Sequence, residues 1–463
     1  MSELTPNLDF TSGEALYVQL YKYIKKEIKT GNLAVMAKLP SKRKFARYLL
    51  VSENTIESAY EQLMAEGYIE SKARKGYFVS EVEQNHFASE NEEPFAEEKQ
   101  HTEGKYLYHF THSGVDIRTF PFSVFRKLTN QVLTKDNGEV LMIGHPQGEL
   151  ELRNQIASYL YKSRGVNCSP SQIILGSGTQ YLMKTLLQLL DGSIFAVENP
   201  GYHRRLVIFE KGMDNVRDIP LDKDGLILSK LKKSGANIVF VTPSHQFPCG
   251  MIMPIARRMQ LLKWAKEKPG RYIIEDDYDS EFRYTGKPIP ALQGLDKDEK
   301  VIYMGTFSKA LLPSLRISYM VLPRPLLKIY QEDYFFYAQT VSRTDQEILI
   351  KFLQEEYWDK HIQKMRVVYR RKRDILISAI SKYFPPVSEV IGQDSGLHIL
   401  LRPNNEMNEQ QLIRKALEAE IKIYPVSQFG ENDGHTVLLG FALLSEEEIY
   451  EAIRVLARAW FEL

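Results

Sequence analysis

Val301-Ile302-Tyr303-Met304-Gly305-Thr306-Phe307-Ser308-Lys309 runs from an apolar strand into a polar turn that ends on a lysine, and Arg316 follows seven residues later. In a chain with 60 Lys and Arg a lone lysine is normally solvated, so the surroundings must single this one out. Upstream, the strand Tyr272-Ile273-Ile274 enters Glu275-Asp276-Asp277-Tyr278, which leaves acids and a phenol at a strand's C-terminal end, where open parallel sheets build their sites. Further upstream, Gln172-Ile173-Ile174-Leu175 leads into Gly176-Ser177-Gly178-Thr179-Gln180 and then a helix, whose first N–H groups and positive dipole end suit an anion. Ser193–Val197, Asn237–Val241 and Ile317–Val321 complete the set of apolar runs. They are continuous rather than alternating, as in strands covered on both faces, so an α/β body with a parallel sheet is expected over 106–345. After residue 345 a long helical stretch and short mixed elements (Leu397–Leu401, Ile421–Tyr424, Val437–Leu444) predict a smaller α+β domain over 346–463.

The first eighty residues follow a different pattern. Leu16, Leu20, Ile24 and Ile28 recur every fourth residue, giving an amphipathic helix that ends near Thr30-Gly31. Pro40-Ser41 opens a second helix through Leu49, and Ser52 caps a third that runs to Glu66. Three short helices with a tight turn at Leu50-Val51-Ser52 predict a helix-turn-helix. Two short strands, Tyr68–Ser71 and Tyr77–Ser80, joined by Lys72-Ala73-Arg74-Lys75-Gly76, predict a basic wing. Such a module presents the start of its third helix, here Ser52, Asn54 and Thr55, to base edges, while Ser41, Lys75 and Gly76 hold the phosphates and Arg43 contacts a phosphate or a base edge. A purely protein-binding helical module is the competing reading of three such helices.

Length and charge fix the frame around these segments. At 463 residues the chain is expected to hold two or three domains, and 60 basic against 59 acidic residues give a formal charge of +1, which announces neither a nucleic-acid tail nor a membrane surface. Residues 1–80 carry 12 Lys/Arg and 9 acids, whereas 81–105 carry 8 acids and 2 lysines, with few large apolar residues; that stretch reads as an extended acidic linker. Two cysteines, Cys168 and Cys249, make no disulfide framework. With neither a signal segment nor a membrane-length apolar run, a cytoplasmic location is expected, with no membrane partner and no metal.

A helix-start anion site, a strand-end aspartate and a strand-end lysine with Ser/Thr and Arg beside it meet the three requirements of a pyridoxal 5'-phosphate site. The lysine binds the aldehyde, the aspartate keeps the ring nitrogen protonated, and the Arg with Ser/Thr takes the phosphate. From about residue 106 to the C-terminus the chain resembles fold-type I, class I/II aminotransferases. By that resemblance Lys309 carries the aldehyde, Asp276 pairs with the ring nitrogen and Tyr278 with the ring hydroxyl. Gly178, Thr179, Gln180, Thr306, Ser308 and Arg316 surround the phosphate, and Tyr202 in Glu198-Asn199-Pro200-Gly201-Tyr202 stacks on the ring.

The motifs Leu39-Pro40-Ser41-x-Arg43, Val51-Ser52-x-Asn54-Thr55, Tyr60–Tyr68 and Lys75–Val79 resemble the GntR-type winged helix-turn-helix, and the whole arrangement is similar to the MocR/GabR regulators. Ser244–Gly250 (SHQFPCG) and Glu275–Tyr284 (EDDYDSEFRY) agree with that family. The resemblance implies a homodimer that binds an operator and responds to a small amine or amino-acid effector, its body used for sensing rather than efficient turnover. A bifunctional protein with genuine aminotransferase turnover is the alternative. Three departures matter. Glu53 stands where the family commonly has Arg, Phe247 where aminotransferases have the Asn of their N-P-x-G motif, and Leu438 where they have the Arg that binds the substrate carboxylate. Arg204, close to Tyr202, is the expected substitute for that last residue.

Overall fold

Ser41 and Ser52 each start a helix by accepting a hydrogen bond from a backbone N–H three residues on, Lys44 N at 3.4 Å and Thr55 N at 3.2 Å. The computed structural model describes residues 4–81, 106–202, 207, 210, 212–284, 286 and 289–461, in two compact units, 1–102 and 103–463. The linker expected over 81–105 and Arg204 lie outside the described residues, apart from Glu81.

In the first unit, α1 (Leu16–Lys29), α2 (Lys42–Leu49) and α3 (Glu53–Ala65) precede a hairpin of β1 (Ile69–Lys72) and β2 (Gly76–Val79). The every-fourth-residue stripe of α1 is buried: Leu20, Ile24 and Ile28 pack with Phe45, Ile56, Tyr60, Leu63 and Val79 in one core. Tyr60 fills the centre and donates its hydroxyl hydrogen to the Pro40 carbonyl, 3.0 Å away, which ties α3 to the start of α2. Leu50 closes α2 in the left-handed conformation at φ 55°, making the sharp turn into α3.

The body is built around a sheet of eight strands among the described residues. In chain order, β3 (Tyr108–His109) precedes β4 (Ile173–Ser177), β5 (Phe195–Asn199), β6 (Val216–Asp222), β7 (Gly225–Leu226), β8 (Ile238–Val241), β9 (Tyr272–Asp277), β10 (Val301–Thr306) and β11 (Ile317–Val321). Spatially the large sheet runs β4-β11-β10-β9-β8-β5-β6-β7. The strands β10, β9, β8, β5 and β6 are parallel, as expected of continuous apolar runs, but the sheet is mixed: β11 is antiparallel to both neighbours and β7 is antiparallel to β6. Ile317–Val321 cannot be parallel to β10, because the ten-residue connection is too short for the crossover that a parallel pair needs. One face is covered by Leu182, Met183 and Leu186 on Thr179–Leu189 with Leu326 and Tyr330 on Arg324–Asp333.

The C-terminal region contains the 27-residue helix Tyr357–Tyr383 and a second sheet of β12 (Glu389–Ile391), β13 (His398–Arg402), β15 (Tyr424–Pro425) and β16 (Val437–Gly440), with β14 (Ile421–Lys422) paired to β3. A continuous apolar core joins Phe110, Leu128 and Leu152 to Leu376, Ile399, Leu439 and Trp460. Among the described residues no helix is long and apolar enough to cross a membrane.

Candidate functional site

A cavity of about 190 Å³ lies at the C-terminal ends of β9 and β10, lined by Asp276 and Tyr278 from β9 and its exit and by Thr306 at the end of β10. Nine of the ten residues assigned to the cofactor line it: Thr179 and Gln180 from the helix after β4; Tyr202 after β5; Asp276 and Tyr278 from β9 and its exit; and Thr306, Ser308, Lys309 and Arg316 from β10 and the following turn. The tenth, Gly178, immediately precedes that helix at φ 92°, where a Cβ would come 2.1 Å from Arg316 Nη2. The helix Thr179–Leu189 has no side-chain cap, so its first N–H groups are open to the cavity. Arg316 holds the left-handed conformation at φ 52°, a strained backbone of the kind that persists where the surroundings demand it. The buried Ser308 Oγ has no hydrogen-bond partner, while its backbone N–H is held by Thr306 Oγ1 at 3.1 Å. Helix N–H groups, an unmet hydroxyl and a guanidinium around one spot are the donor set that a phosphate requires.

Lys309 reaches into this cavity and donates to the His112 carbonyl at 2.5 Å. Burial pulls its ammonium down to about 8, against the opposing pull of Asp279 and Asp276. His112 is a cavity residue that the sequence reading missed; burial and then the charge of Lys309 push it down to about 4, and its Nδ1 is buried without a partner. The two strand-end aspartates part company. Asp276 lines the cavity, whereas Asp277 is buried in an ion pair with Arg164 (Nε to Oδ2, 2.7 Å) and accepts from Tyr303 Oη at 2.6 Å. The β alternation accounts for this, because adjacent residues point to opposite faces.

Phe247 brings an apolar ring to the cavity and ties it to a buried cluster behind. Phe247, Leu400, Val426, Phe429 and Leu438 form one buried cluster, and Leu438 is fully enclosed, paired across the sheet with Leu400 and Tyr424. The Phe247 ring meets His112 at 5.6 Å, Phe429 at 4.8 Å and Tyr202 at 5.4 Å. Deeper still, His245, Asp279 and His398 lie buried with potential ligating atoms within 4.8 Å of one another, yet His245 Nδ1 and Asp279 already hydrogen-bond directly at 2.9 and 3.1 Å.

In the first unit, Ser41, Arg43, Ser52 and Asn54 are exposed at the starts of α2 and α3, and Thr55 is half-buried beside the Ser52 cap. Lys75 is exposed at the tip of the hairpin, and Gly76 turns it at φ 105°. Arg43 Nε lies 3.7 Å from Glu53 Oε1, so the acid that departs from the expected pattern touches the base expected to contact DNA.

Residues 16–79 match the family described as bacterial regulatory proteins, gntR family, and residues 115–456 match aminotransferase class I and II. Along 99% of its length the chain is 47% identical to an uncharacterized HTH-type transcriptional regulator, YdeL, of Bacillus subtilis, covering 99% of that protein. It is 30% identical to the probable rhizopine catabolism regulatory protein MocR of Rhizobium meliloti, over 98% of this chain and 96% of that one. Among solved structures it is similar to the kynurenine aminotransferase of Pyrococcus horikoshii in complex with PMP, with a TM-score of 0.68 and 25% identity over 78% of this chain and 92% of that chain.

Proposed function

The chain belongs to the MocR-type regulators, in which a gntR-family DNA-binding head is joined to an aminotransferase class I and II body, and on that premise we propose that its body senses a small amine or amino acid and passes the signal to the head. The fold implies pyridoxal phosphate, and the donor set around Ser308, Arg316 and the Thr179 helix start fits that group. When bound, the cofactor supplies an aldehyde that condenses with primary amines and a ring that withdraws electrons. Lys309, its ammonium pulled down to about 8 by burial, would offer the amine at that aldehyde; Asp276 would hold the proton on the ring nitrogen; Tyr202 and Phe247 would flank the ring. Thr179, Gln180, Thr306, Ser308 and Arg316 would hold the phosphate end and so orient the group for an arriving ligand.

One observation carries the choice of sensing over turnover. The cofactor anchors converge on one cavity, while Leu438, where an enzyme places its carboxylate-binding arginine, lies sealed in an apolar cluster. The protein is proposed to act as a homodimer on two half-sites, with 106–345 and 346–463 as the large and small domains of each body and 81–105 as the tether to the head. Arg204 remains the proposed contact for an effector carboxylate.

A panel of amines and amino acids, added to the cofactor-loaded protein with and without promoter DNA, tests this. One compound should change both the cofactor absorbance and the affinity for DNA, and DNA should change the affinity for that compound by the same factor, because coupling is reciprocal. Keto-acid production in many-fold excess over protein, with no change in DNA affinity, would establish the turnover reading instead.

A further inference from the structure

Tyr278 Oη lies 2.9 Å from His245 Nδ1, and the same nitrogen lies 2.9 and 3.1 Å from the two oxygens of Asp279. Both His245 and Asp279 are buried, at 2% exposure each. A carboxylate offers only lone pairs, so Nδ1 must carry the hydrogen that joins it to Asp279. His245 Nε2 is buried without a hydrogen-bond partner, which fits a ring protonated on Nδ1 alone, since a bare lone pair there is less costly than an unmet N–H. His398, whose ring lies 5.0 Å away, donates through Nε2 to the Pro248 carbonyl at 3.0 Å and is kept neutral by burial. It supplies no proton to Nε2 of His245. With Nδ1 a donor, the Tyr278 hydroxyl cannot donate to it. Burial, and then Asp279 and Asp276, keep that phenol protonated, so its hydrogen must point elsewhere, and Tyr278 lines the cavity that holds Lys309 and Asp276.

We propose that His245 and Asp279 are positioning residues: the pair locks the imidazole with its hydrogen on Nδ1 and thereby holds Tyr278 as an obligatory hydrogen-bond donor to an aromatic oxyanion in the cavity. The inference rests on the reading above, under which that oxyanion is the ring hydroxyl oxygen of the cofactor. Phe247, at the position of the expected asparagine, offers that oxygen no side-chain hydrogen bond, so the fixed phenol carries the task. The fold is built around the pair. Gly396, at φ 74°, lies so close that a Cβ would come 2.0 Å from His245 Cε1 and 2.6 Å from Asp279 Oδ2, and its own carbonyl is held by Tyr284 Oη at 2.6 Å.

The test follows the bound cofactor's visible absorbance against pH in the full-length, cofactor-loaded protein. Tyr278→Phe removes the donor and should raise the titration midpoint by about one pH unit. Asp279→Asn should also raise it, because a neutral amide no longer dictates the tautomer and Nδ1 can take the phenol's hydrogen. Loss of the Asp279 charge acting directly on the cofactor would move the midpoint down, so the sign separates the two causes. In the Tyr278→Phe background Asp279→Asn should add nothing. A midpoint that falls or stays put in Asp279→Asn, or a rise that persists without the phenol, overturns the proposal. Should Asp279→Asn fail to hold the cofactor, His245→Phe decides by the same two criteria. A wild-type protein with no cofactor absorbance, or a Tyr278→Phe midpoint equal to wild type, would overturn the placement of the cofactor ring itself.

Discussion

Arg164 and Asp277, at the end of β9, form a two-pronged ion pair, Nε to Oδ2 at 2.7 Å and Nη2 to Oδ1 at 3.2 Å, with both side chains at most 5% exposed. Arg164 also donates to Ser244 Oγ at 2.6 Å, so the pair braces the start of the SHQFPCG segment. Asp277 is therefore a structural acid, and Asp276, one residue earlier, is the one that faces the cavity.

The two aspartates should consequently fail in different ways. Asp276→Ala is expected to fold and lose cofactor affinity. Asp277→Ala leaves a buried guanidinium uncompensated and should cost about 3–5 kcal/mol of stability. Chemical denaturation and cofactor titration of both variants check this, and the reverse pattern would shift the assignment by one residue.

At Gly178 the prediction is steric. An alanine there meets the Arg316 guanidinium at 2.1 Å and must also hold φ 92°. Gly178→Ala should weaken cofactor binding at least tenfold by displacing Arg316, and Arg316→Ala should add little on top of it. Independent, additive losses would separate the two residues.

The lowered Lys309 ammonium gives a pH signature. Its folded value of about 8 lies below the 10.5 of an exposed lysine, so between these values the unfolded chain binds more protons than the folded one. The cofactor-free protein should thus gain stability as pH rises from about 8 to 10.5, and Lys309→Met should flatten that slope. Capture of pyridoxal phosphate by the wild type should approach its plateau just above pH 8, where the free amine dominates. A plateau reached only beyond pH 10 would mean an ordinary lysine. Borohydride reduction of the loaded protein should leave the cofactor mass on the peptide containing Lys309.

The Arg43–Glu53 contact makes a prediction about DNA. Arg43→Ala should weaken operator binding and lower the salt slope by about one counterion if the contact is to phosphate. Glu53→Gln removes the acid 3.7 Å from that guanidinium and should tighten binding to unrelated DNA more than to the operator, narrowing the ratio between them. Unchanged affinity and slope in both variants would make the pair a surface feature.

The residues around Lys309 could be read because their logic is local: a strand end, a helix start and short spacings place them without knowledge of the rest. Ser41 and Ser52 were legible for the same reason, as each caps its helix within three residues. The direction of β11 was not read from its apolar run, which carries no polarity; the shortness of the connection after Thr306 was the available signal. His112 lies 197 residues from Lys309 and His245 lies 34 from Asp279, so only the folded chain brings these partners together. Nothing in their immediate sequence announces the pairing.

The exit of β9 deals successive side chains to alternate sides. Glu275 accepts from the Leu292 and Gln293 N–H groups, Asp276 faces the cavity, Asp277 braces Arg164, and Tyr278 returns to the cavity. A single codon inserted after Ile274 would exchange every one of these assignments at once, setting scaffold acids toward the ligand and ligand groups into the scaffold. The same codon inserted in the turn near Gly270 would only lengthen a connection. Over evolutionary time this short segment can therefore change by substitution while remaining closed to changes of length.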